Sequence, residues 1–351
     1  MAKRNNFTPA LISWYRKNAR DLPWRRTGDP YKIWISEVML QQTTVNAVIP
    51  YYGRWLKSFP DVQTVARAPL QKILRTWQGL GYYQRARNIH KAAKVLVKEF
   101  AGQIPSNQEA MRRLPGFGPY TRGAVLSIAF NQREPIIDAN VRRVVMRQLA
   151  LEGQATPTHD PEILKFLDQV MPMKNMSFFN QGLMELGALI CRPRQPLCLA
   201  CPVKETCVAY SKGIQEIIPT PKKSIVKDIH AVVAVIEKNG KIFLQRRPPN
   251  GLFADLWEFP GGKIEEGESP RQAIIREVRE ELGQDVVAAK HLVTVQHLYT
   301  QFRVKLEAWQ CQLKTDAVED GTHKWLRLDQ LRKYPMPSGS ARIVDHLTLD
   351  N

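Results

Sequence analysis

A chain of 351 residues, 44% apolar and 24% charged, is too long for one comfortable hydrophobic core and too apolar for disorder, so two or three domains are expected. Its 51 Lys and Arg against 33 Asp and Glu leave a net charge of +18, which points to a polyanionic partner, nucleic acid first and an anionic membrane surface second. No apolar run approaches the roughly twenty residues that span a bilayer. The opening Met-Ala-Lys-Arg-Asn-Asn-Phe-Thr-Pro lacks the apolar core of a secretory signal.

In chain order, residues 1–212 read as helices joined by short Pro/Gly turns. The segment Tyr31–Thr43, Tyr-Lys-Ile-Trp-Ile-Ser-Glu-Val-Met-Leu-Gln-Gln-Thr, is apolar on nearly every side of a helix, which predicts burial. Glu37 sits inside it, flanked by Ile33 and Leu40 along one face and by Trp34, Ile35, Val38 and Met39 on the others. A lone carboxylate there is expected to have a raised pKa and to serve as a general acid; the alternative is a Glu neutralised by an Arg from elsewhere. Pro69–Trp77 and Arg85–Phe100 follow with apolar residues at three and four spacing.

Leu114-Pro-Gly-Phe-Gly-Pro-Tyr-Thr121 falls between two helical segments, Asn107–Leu114 and Tyr120–Phe130. Gly116 and Gly118 permit a tight turn whose N–H groups, with the next helix N-terminus, suit a phosphate. Any Pro-Gly turn between helices has a similar look. Asp138, in Pro-Ile-Ile-Asp-Ala-Asn-Val-Arg-Arg (135–143), precedes a helix carrying Val141, Val144, Val145 and Leu149, so it is expected to cap it by accepting the N–H of Asn140 or Val141. The same hydrogen bonds and the helix dipole are expected to lower its pKa and keep it anionic. One carboxyl held neutral and another held ionised form the division of labour of glycoside cleavage through an oxocarbenium-like state.

Cys191, Cys198, Cys201 and Cys207 follow C-x6-C-x2-C-x5-C, four thiols within seventeen residues. An odd total of five cysteines argues against a disulfide scaffold and for a metal site in a reducing compartment. Four thiolates so placed enclose one tetrahedral ion or one cubane cluster, and the wide outer gaps lean toward the cluster. Arg192, Arg194 and Lys204 give this loop a basic rim. Residues 213–228, with Ile-Ile-Pro-Thr-Pro-Lys-Lys-Ser, read as a linker. Beyond them the period shortens: His230–Ile236 and Lys241–Gln245 are strand-like and separated by the hairpin signal Asn239-Gly240. A helix is predicted over Pro270–Leu282, and Arg303–Cys311 returns to strand alternation, with Cys311 as a buried thiol.

These pieces together resemble the MutY branch of the endonuclease III-like, helix–hairpin–helix DNA glycosylases. The likeness runs from about Trp14 to about Val344. It rests on Asp21-Leu-Pro-Trp-Arg25, the stretch from Asp29 to Thr43, Trp77-Gln-Gly-Leu-Gly-Tyr-Tyr83, the glycine hairpin, Ile137-Asp-Ala-Asn-Val-Arg142 and the four cysteines. The resemblance implies a multidomain chain. An all-α glycosylase domain would occupy residues 1–212, with the helix–hairpin–helix at about 107–130 and the iron–sulfur loop at 191–207. A linker, 213–228, would precede an α+β Nudix-like domain, 229–351.

By the same resemblance the chain is a monofunctional adenine DNA glycosylase of base excision repair. It would hydrolyse the N-glycosidic bond of adenine opposite 8-oxoguanine or guanine and leave an abasic site. Glu37 would protonate the adenine ring and later help activate water, and Asp138 would stabilise the positive charge growing on the sugar. Tyr120 stands where strand-cutting relatives place Lys, so no Schiff base can form. Gln41 and Gln42 would fill the space of the flipped nucleotide, Trp24, Arg25 and Gln181 would line the adenine pocket, and Thr43, Gly116, Gly118 and Asn140 would contact DNA. The cysteine spacing matches the family's [4Fe–4S] loop, which favours iron over zinc. Ala139 departs from the family's usual Gly. The implied partner is duplex DNA bearing an 8-oxoguanine:adenine mispair, with no membrane. The implied state is a monomer, in a bacterial-type cytoplasm at the nucleoid.

Gly262-x5-Glu268-x7-Arg276-Glu277-Val278-Arg279-Glu280-Glu281-Leu282-Gly283 is similar to the Nudix box of MutT-like pyrophosphohydrolases, with Gln284 where an aliphatic residue is usual. Glu277, Glu280 and Glu281 share one helix face and are candidates to hold Mg²⁺; Ile274, Val278 and Leu282 form the face turned to a sheet. MutY proteins usually lack an intact box and use this domain to recognise 8-oxoguanine. Their Phe-Ser-His reading segment aligns here with Tyr299-Thr300-Gln301. An alternative function follows: a bifunctional protein whose Nudix domain also hydrolyses oxidised nucleoside triphosphates. A third possibility is a non-catalytic iron–sulfur DNA-binding protein.

Overall fold

The computed structural model describes residues 6–221, 226–299, 301–314 and 319–349. From the N-terminus come α1 (Phe7–Asn18), α2 (Pro30–Leu40), α3 (Val45–Ser58), α4 (Val62–Arg67), α5 (Leu70–Trp77) and α6 (Gln84–Phe100). Then follow α7 (Gln108–Arg112), α8 (Pro119–Ile128), α9 (Ala139–Leu149), α10 (Asp160–Val170), α11 (Met176–Leu189) and α12 (Val208–Ser211). Beyond residue 226 the chain forms β1 (Lys227–Lys238), β2 (Lys241–Arg246), β3 (Trp257–Glu258), β4 (Gly261–Lys263), α13 (Pro270–Leu282), β5 (Val286–Tyr299), β6 (Phe302–Leu313) and β7 (His323–Arg327). Two helices, α14 (Leu328–Leu331) and α15 (Ser338–Leu347), close it. The change from helix period to strand period thus marks a real change of architecture. No helix among the described residues is long and apolar enough to cross a membrane.

By internal contacts the chain divides into two compact units: Met1–Arg67 with Asn88–Lys223, and Ala68–Arg87 with Ser224–Asn351. The break near 223 falls inside the stretch read as a linker; the assignment of 68–87 to the second unit has no counterpart in the sequence reading.

In the first unit α2 is buried on nearly every side, from Ile33 through Met39, as an all-round apolar helix must be. Asp29 starts it by accepting the Tyr31 N–H at 2.9 Å, and Pro30 fits the first helical position because its missing N–H has no intrahelical partner to lose. A second core gathers α1, α9, α10 and α11 through Leu11, Val144, Leu167, Phe179 and Leu183. Gly187 lets α11 lie directly on the start of α9: a Cβ there would stand 2.5 Å from the Asn140 Cβ. That close approach fixes Asn140, and with it Asp138 two residues earlier.

The second unit is a mixed sheet of order β3-β2-β1-β6-β5, with β4 on β1 and β7 on β2. Strand β1 runs parallel to β6 from Lys227↔Phe302 to Ile236↔Cys311 and is covered on both faces. Val232, Ala234 and Ile236 meet Ile274 and Val278 of α13, while Val233 and Val235 meet Ile343 and Val344 of α15. Asn239 (φ 52°) and Gly240 (φ 69°) turn the hairpin, with Lys238 opposite Lys241. Ser269 and Gln272 form a capping box at the start of α13, and Gly283 ends it at φ 63°. Segment 68–87 joins this unit through Gln71, which donates to the Asp255 carbonyl and accepts from the Trp257 indole, both at 3.1 Å. Tyr83 adds a bond from its hydroxyl to the Met336 carbonyl at 3.2 Å.

Candidate active site

Glu37 projects from the buried α2 into a cavity of about 250 Å³ within the first unit. The cavity is also lined by Trp24, Arg25, Thr43, Tyr120, Asp138, Asn140 and Gln181. Residues more than 150 positions apart in sequence therefore share one chamber. Glu37 is 4% exposed, and no arginine is paired with it among the described residues. The nearby guanidinium of Arg25 is taken by another acid. Burial, foremost, pushes the Glu37 carboxyl up to about 7; the Asp138 charge adds to this, while a hydrogen bond from Tyr120 opposes it. That bond, from the Tyr120 hydroxyl to Glu37 Oε2, is 2.6 Å long. Burial and the Glu37 charge in turn hold the Tyr120 phenol well above its ordinary range.

Asp138 caps α9 as expected. Its Oδ1 accepts the Val141 N–H at 2.6 Å and its Oδ2 accepts the Asn140 side-chain N–H at 3.0 Å. The expected lowering of its pKa is not found. Desolvation raises it, outweighing the Val141 and Asn140 bonds. The sequence argument counted the hydrogen bonds and the dipole and left out the cost of taking the charge from water. An ionised Asp138 is in turn one of the causes that raise Glu37. Ala139 occupies the first helical position of α9.

The principal group missed in the sequence is Glu185. It is fully buried on α11 and receives paired bonds from two arginines: Arg25 at 2.9 and 2.8 Å, Arg20 at 2.9 and 2.7 Å. Burial opposes its ionisation, but the Arg20 and Arg25 hydrogen bonds prevail and hold it at about 2. A lone carboxylate in the apolar run Gly-Leu-Met-Glu-Leu-Gly (182–187) carries the same signal that singled out Glu37. Arg25 also stacks over Tyr15, with its guanidinium carbon 5.4 Å from the ring centroid. Trp24 is fixed edge-on to Tyr52 at 5.5 Å between centroids. Gln181 donates to the Ser177 hydroxyl at 2.9 Å and accepts from the Tyr15 hydroxyl at 3.1 Å.

The remaining DNA candidates lie outside the chamber. Gln41 donates to the Thr121 hydroxyl at 3.1 Å, and Gln42 is exposed with a left-handed backbone, φ 58°. In the hairpin Gly116 has φ 81° and no room for a Cβ, which would meet the Asn88 Cβ at 2.8 Å. Gly118 caps α8 with an ordinary φ of −64°.

Cys191, Cys198, Cys201 and Cys207 line a separate small cavity of about 20 Å³ in the same unit. They border it without meeting at a point: among the described residues no three His, Cys, Asp or Glu side chains converge as one ion requires. Burial, and then the charges of its three sister thiols, push Cys201 up to about 12. Four thiolates gathered here require cationic compensation. Arg147 and Arg143 supply part of it: Arg147 donates to Cys191 Sγ at 3.2 Å and Arg143 to the Cys191 carbonyl at 2.8 Å. Soft donors, enclosure and adjacent cations fit an iron–sulfur cluster. Arg192 and Arg194 are exposed and Lys204 half-buried at its rim.

In the second unit the three box carboxylates do not converge. Arg276 binds Glu268 at 2.9 and 3.0 Å, Glu277 at 2.9 Å and Glu280 at 3.4 Å. Glu281 turns instead to the Gln245 amide at 2.6 Å and the Gly261 N–H at 2.9 Å. Of the candidate lesion-reading segment, Thr300 and the Tyr299 side chain lie outside the described residues, and Gln301 is exposed.

Comparison with known proteins follows the same division. Residues 35–169 match the family described as HhH-GPD superfamily base excision DNA repair protein, and residues 231–346 match the NUDIX domain. An adenine DNA glycosylase of Buchnera aphidicola subsp. Baizongia pistaciae is 39% identical over 257 residues, covering 72% of this chain and 73% of that protein. The mouse adenine DNA glycosylase is 32% identical over 363 residues, covering 88% and 70%. Among solved structures, a thermostable thymine-DNA glycosylase superposes with a TM-score of 0.55 at 30% identity, over 60% of this chain and 98% of that one. A trapped endonuclease III–DNA covalent intermediate shares the fold at a TM-score of 0.51 and 23% identity, over 59% and 95%.

Proposed function

We propose, from the premise that this chain belongs to the adenine DNA glycosylase family, that Glu37, Asp138 and Tyr120 carry out its reaction on adenine opposite 8-oxoguanine. The chain is a DNA N-glycosylase of base excision repair, monofunctional in that it removes the base and leaves the strand intact. One observation carries the catalytic reading: a buried carboxyl raised to about 7 opens into a chamber that a second carboxylate shares.

A flipped adenine enters the chamber along Trp24, with the Arg25–Glu185–Arg20 cluster offering polar edges. Glu37, holding its proton near neutral pH, gives it to a ring nitrogen and so turns the base into a better leaving group. As the glycosidic bond lengthens, positive charge grows on the sugar, and the Asp138 carboxylate stabilises it. Glu37 is then an anion, steadied by the Tyr120 hydroxyl, and can take a proton from the attacking water. Tyr120 presents a phenol and no amine, so the sugar is never captured as a Schiff base. Gln41, Gln42 and Thr43 follow the end of α2 and would occupy the gap in the duplex, while the hairpin with Gly116 and Gly118 would grip phosphate.

Cys191, Cys198, Cys201 and Cys207 would hold a [4Fe–4S] cluster, which supplies a rigid cross-link between distant points of the loop and a one-electron redox centre. A monomer is proposed as the acting form. A DNA substrate and free thiols support a cytoplasmic, nucleoid-associated protein. The organisation into residues 1–212, 213–228 and 229–351 is proposed with it, and Tyr299, Thr300 and Gln301 are proposed as readers of the oxidised guanine.

The test is incubation with a duplex holding adenine opposite 8-oxoguanine. Free adenine should appear while the strand stays whole until alkali is added, and Glu37→Gln should abolish release. Adenine left in place by iron-loaded protein overturns the reading. The box, whole but for Gln284, with the Glu277 carboxylate packed over Gly262, supports a second reading, Mg²⁺-dependent hydrolysis of 8-oxo-dGTP to its monophosphate. Glu280→Gln should remove that activity and spare base excision.

A further inference from the structure

The cysteine loop is built around one side chain. Arg147 is 2% exposed, on the last turn of α9, so its charge is almost wholly shielded from solvent. Its guanidinium donates to Cys191 Sγ at 3.2 Å, to the Arg192 carbonyl at 2.8 Å, to the Pro193 carbonyl at 3.2 Å and to the Ile218 carbonyl at 2.7 Å. Its own backbone carbonyl faces the thiol at the other end of the loop, Cys207 Sγ, at 3.4 Å. The neighbouring Gln148 continues the template: its amide donates to the Val203 carbonyl at 3.2 Å, and its Oε1 accepts from Thr206 at 2.8 Å. A permanently charged group buried beside four thiols is expensive unless those thiols carry negative charge.

We propose that Arg147 is a positioning residue for the iron–sulfur cluster and sets how easily that cluster is oxidised, through its N–H···S bond to Cys191 and its buried positive charge. The inference rests on the cluster reading given above. Four thiolates outweigh the positive charge of an iron–sulfur core, so the loaded site is a net anion. A fixed cation against one ligand sulfur stabilises the more negative, more reduced state. Hydrogen bonds to ligand sulfur and local net charge are among the main controls on such potentials. Removing the cation should therefore lower the potential of the one-electron oxidation and hasten loss of the cluster to oxidants.

The experiment compares the wild-type chain with Arg147→Gln and Arg147→Lys, all full-length and purified under exclusion of air. Iron per chain, the midpoint potential of the oxidation couple by film voltammetry, and the decay of visible absorbance under ferricyanide are read together. Arg147→Gln should favour the oxidised state about tenfold, which for one electron is a shift of about 59 mV, and its absorbance should decay correspondingly faster. Arg147→Lys keeps the charge and should fall between Gln and wild type. If Gln cannot load iron, Lys carries the test: a potential below wild type supports the proposal and an unchanged one overturns it. Full iron, unchanged potential and unchanged decay in Arg147→Gln overturn it as well. Wild-type protein that folds with zinc, or with no iron, sinks the cluster reading itself, an outcome distinct from loaded variants with unaltered potentials.

Discussion

Glu37 and Glu185 are both buried carboxylates on apolar helices, and their states differ because arginine reaches only one of them. Glu185 has two guanidinium partners and sits at about 2; Glu37 has a single neutral donor and sits at about 7. The signs for stability are opposite. The raised Glu37 binds its proton more tightly folded than unfolded, so its contribution is harmless below its ordinary 4.5 and becomes a penalty that grows from there to about pH 7, about 3 kcal/mol when complete. The depressed Glu185 contributes about 3 kcal/mol above its ordinary 4.5, lost as pH falls toward 2. Glu37→Gln should therefore stabilise the protein by about 2–3 kcal/mol at pH 8 and hardly at all near pH 5, by urea unfolding. Glu185→Gln, which strands Arg20 and Arg25, should destabilise it by about 3 kcal/mol at pH 8. Tyr120→Phe removes the one hydrogen bond that favours the Glu37 anion, so the alkaline limb of its activity profile should move to higher pH. A limb that stays in place would separate Tyr120 from proton transfer.

At the scale of elements, α9 joins structure to chemistry at both ends: Asp138 caps its start and Arg147 organises the cysteine loop at its finish. The cap and the counter-charge are separable. Asp138→Asn keeps a good capping side chain and should cost only a few tenths of a kcal/mol in stability, yet it removes the anion and should slow base release by at least about a hundredfold. Asp138→Ala should add about 1 kcal/mol of instability to the same loss of rate. Equal rates for wild type and Asn would leave Asp138 a cap alone.

The elements themselves were legible because local signals agreed with tertiary demands. The all-round apolar α2, the Asn239-Gly240 turn and the helix over Pro270–Leu282 each emerge where periodicity and turn residues put them. The direction of the Asp138 shift was not legible, since it depends on how much of α9 and α11 covers the carboxylate. Glu185 carried a visible signal, but its two arginine partners lie some 160 positions away and nothing local announces them. The bond between Tyr120 and Glu37 likewise spans 83 positions and exists only through the packing of α2 on α8.

For the whole molecule, the net charge of +18 is what points to a nucleic-acid partner. Binding to duplex should weaken steeply with salt, log K falling linearly with log salt. The slope should shrink by about one on neutralising a phosphate-contacting Arg or Lys. A slope near zero would remove phosphate contacts from the account. The membership of 68–87 in the second unit could not be read from sequence, because its helical period is indistinguishable from that of its neighbours. Long-range bonds such as those of Gln71 to Asp255 and Trp257, and of Tyr83 to Met336, reveal where it belongs.

The central claim is that burial keeps Glu37 protonated near neutral pH so that it can act as the acid. The most direct measurement is the single-turnover rate of adenine release against pH on a duplex with adenine opposite 8-oxoguanine. The account predicts a rate that is flat below about pH 7 and falls about tenfold per unit above it, with the dependence gone in Glu37→Gln along with nearly all of the rate. A wild-type rate that stays level to pH 9, or a Glu37→Gln protein that still excises adenine at a comparable rate, would contradict it.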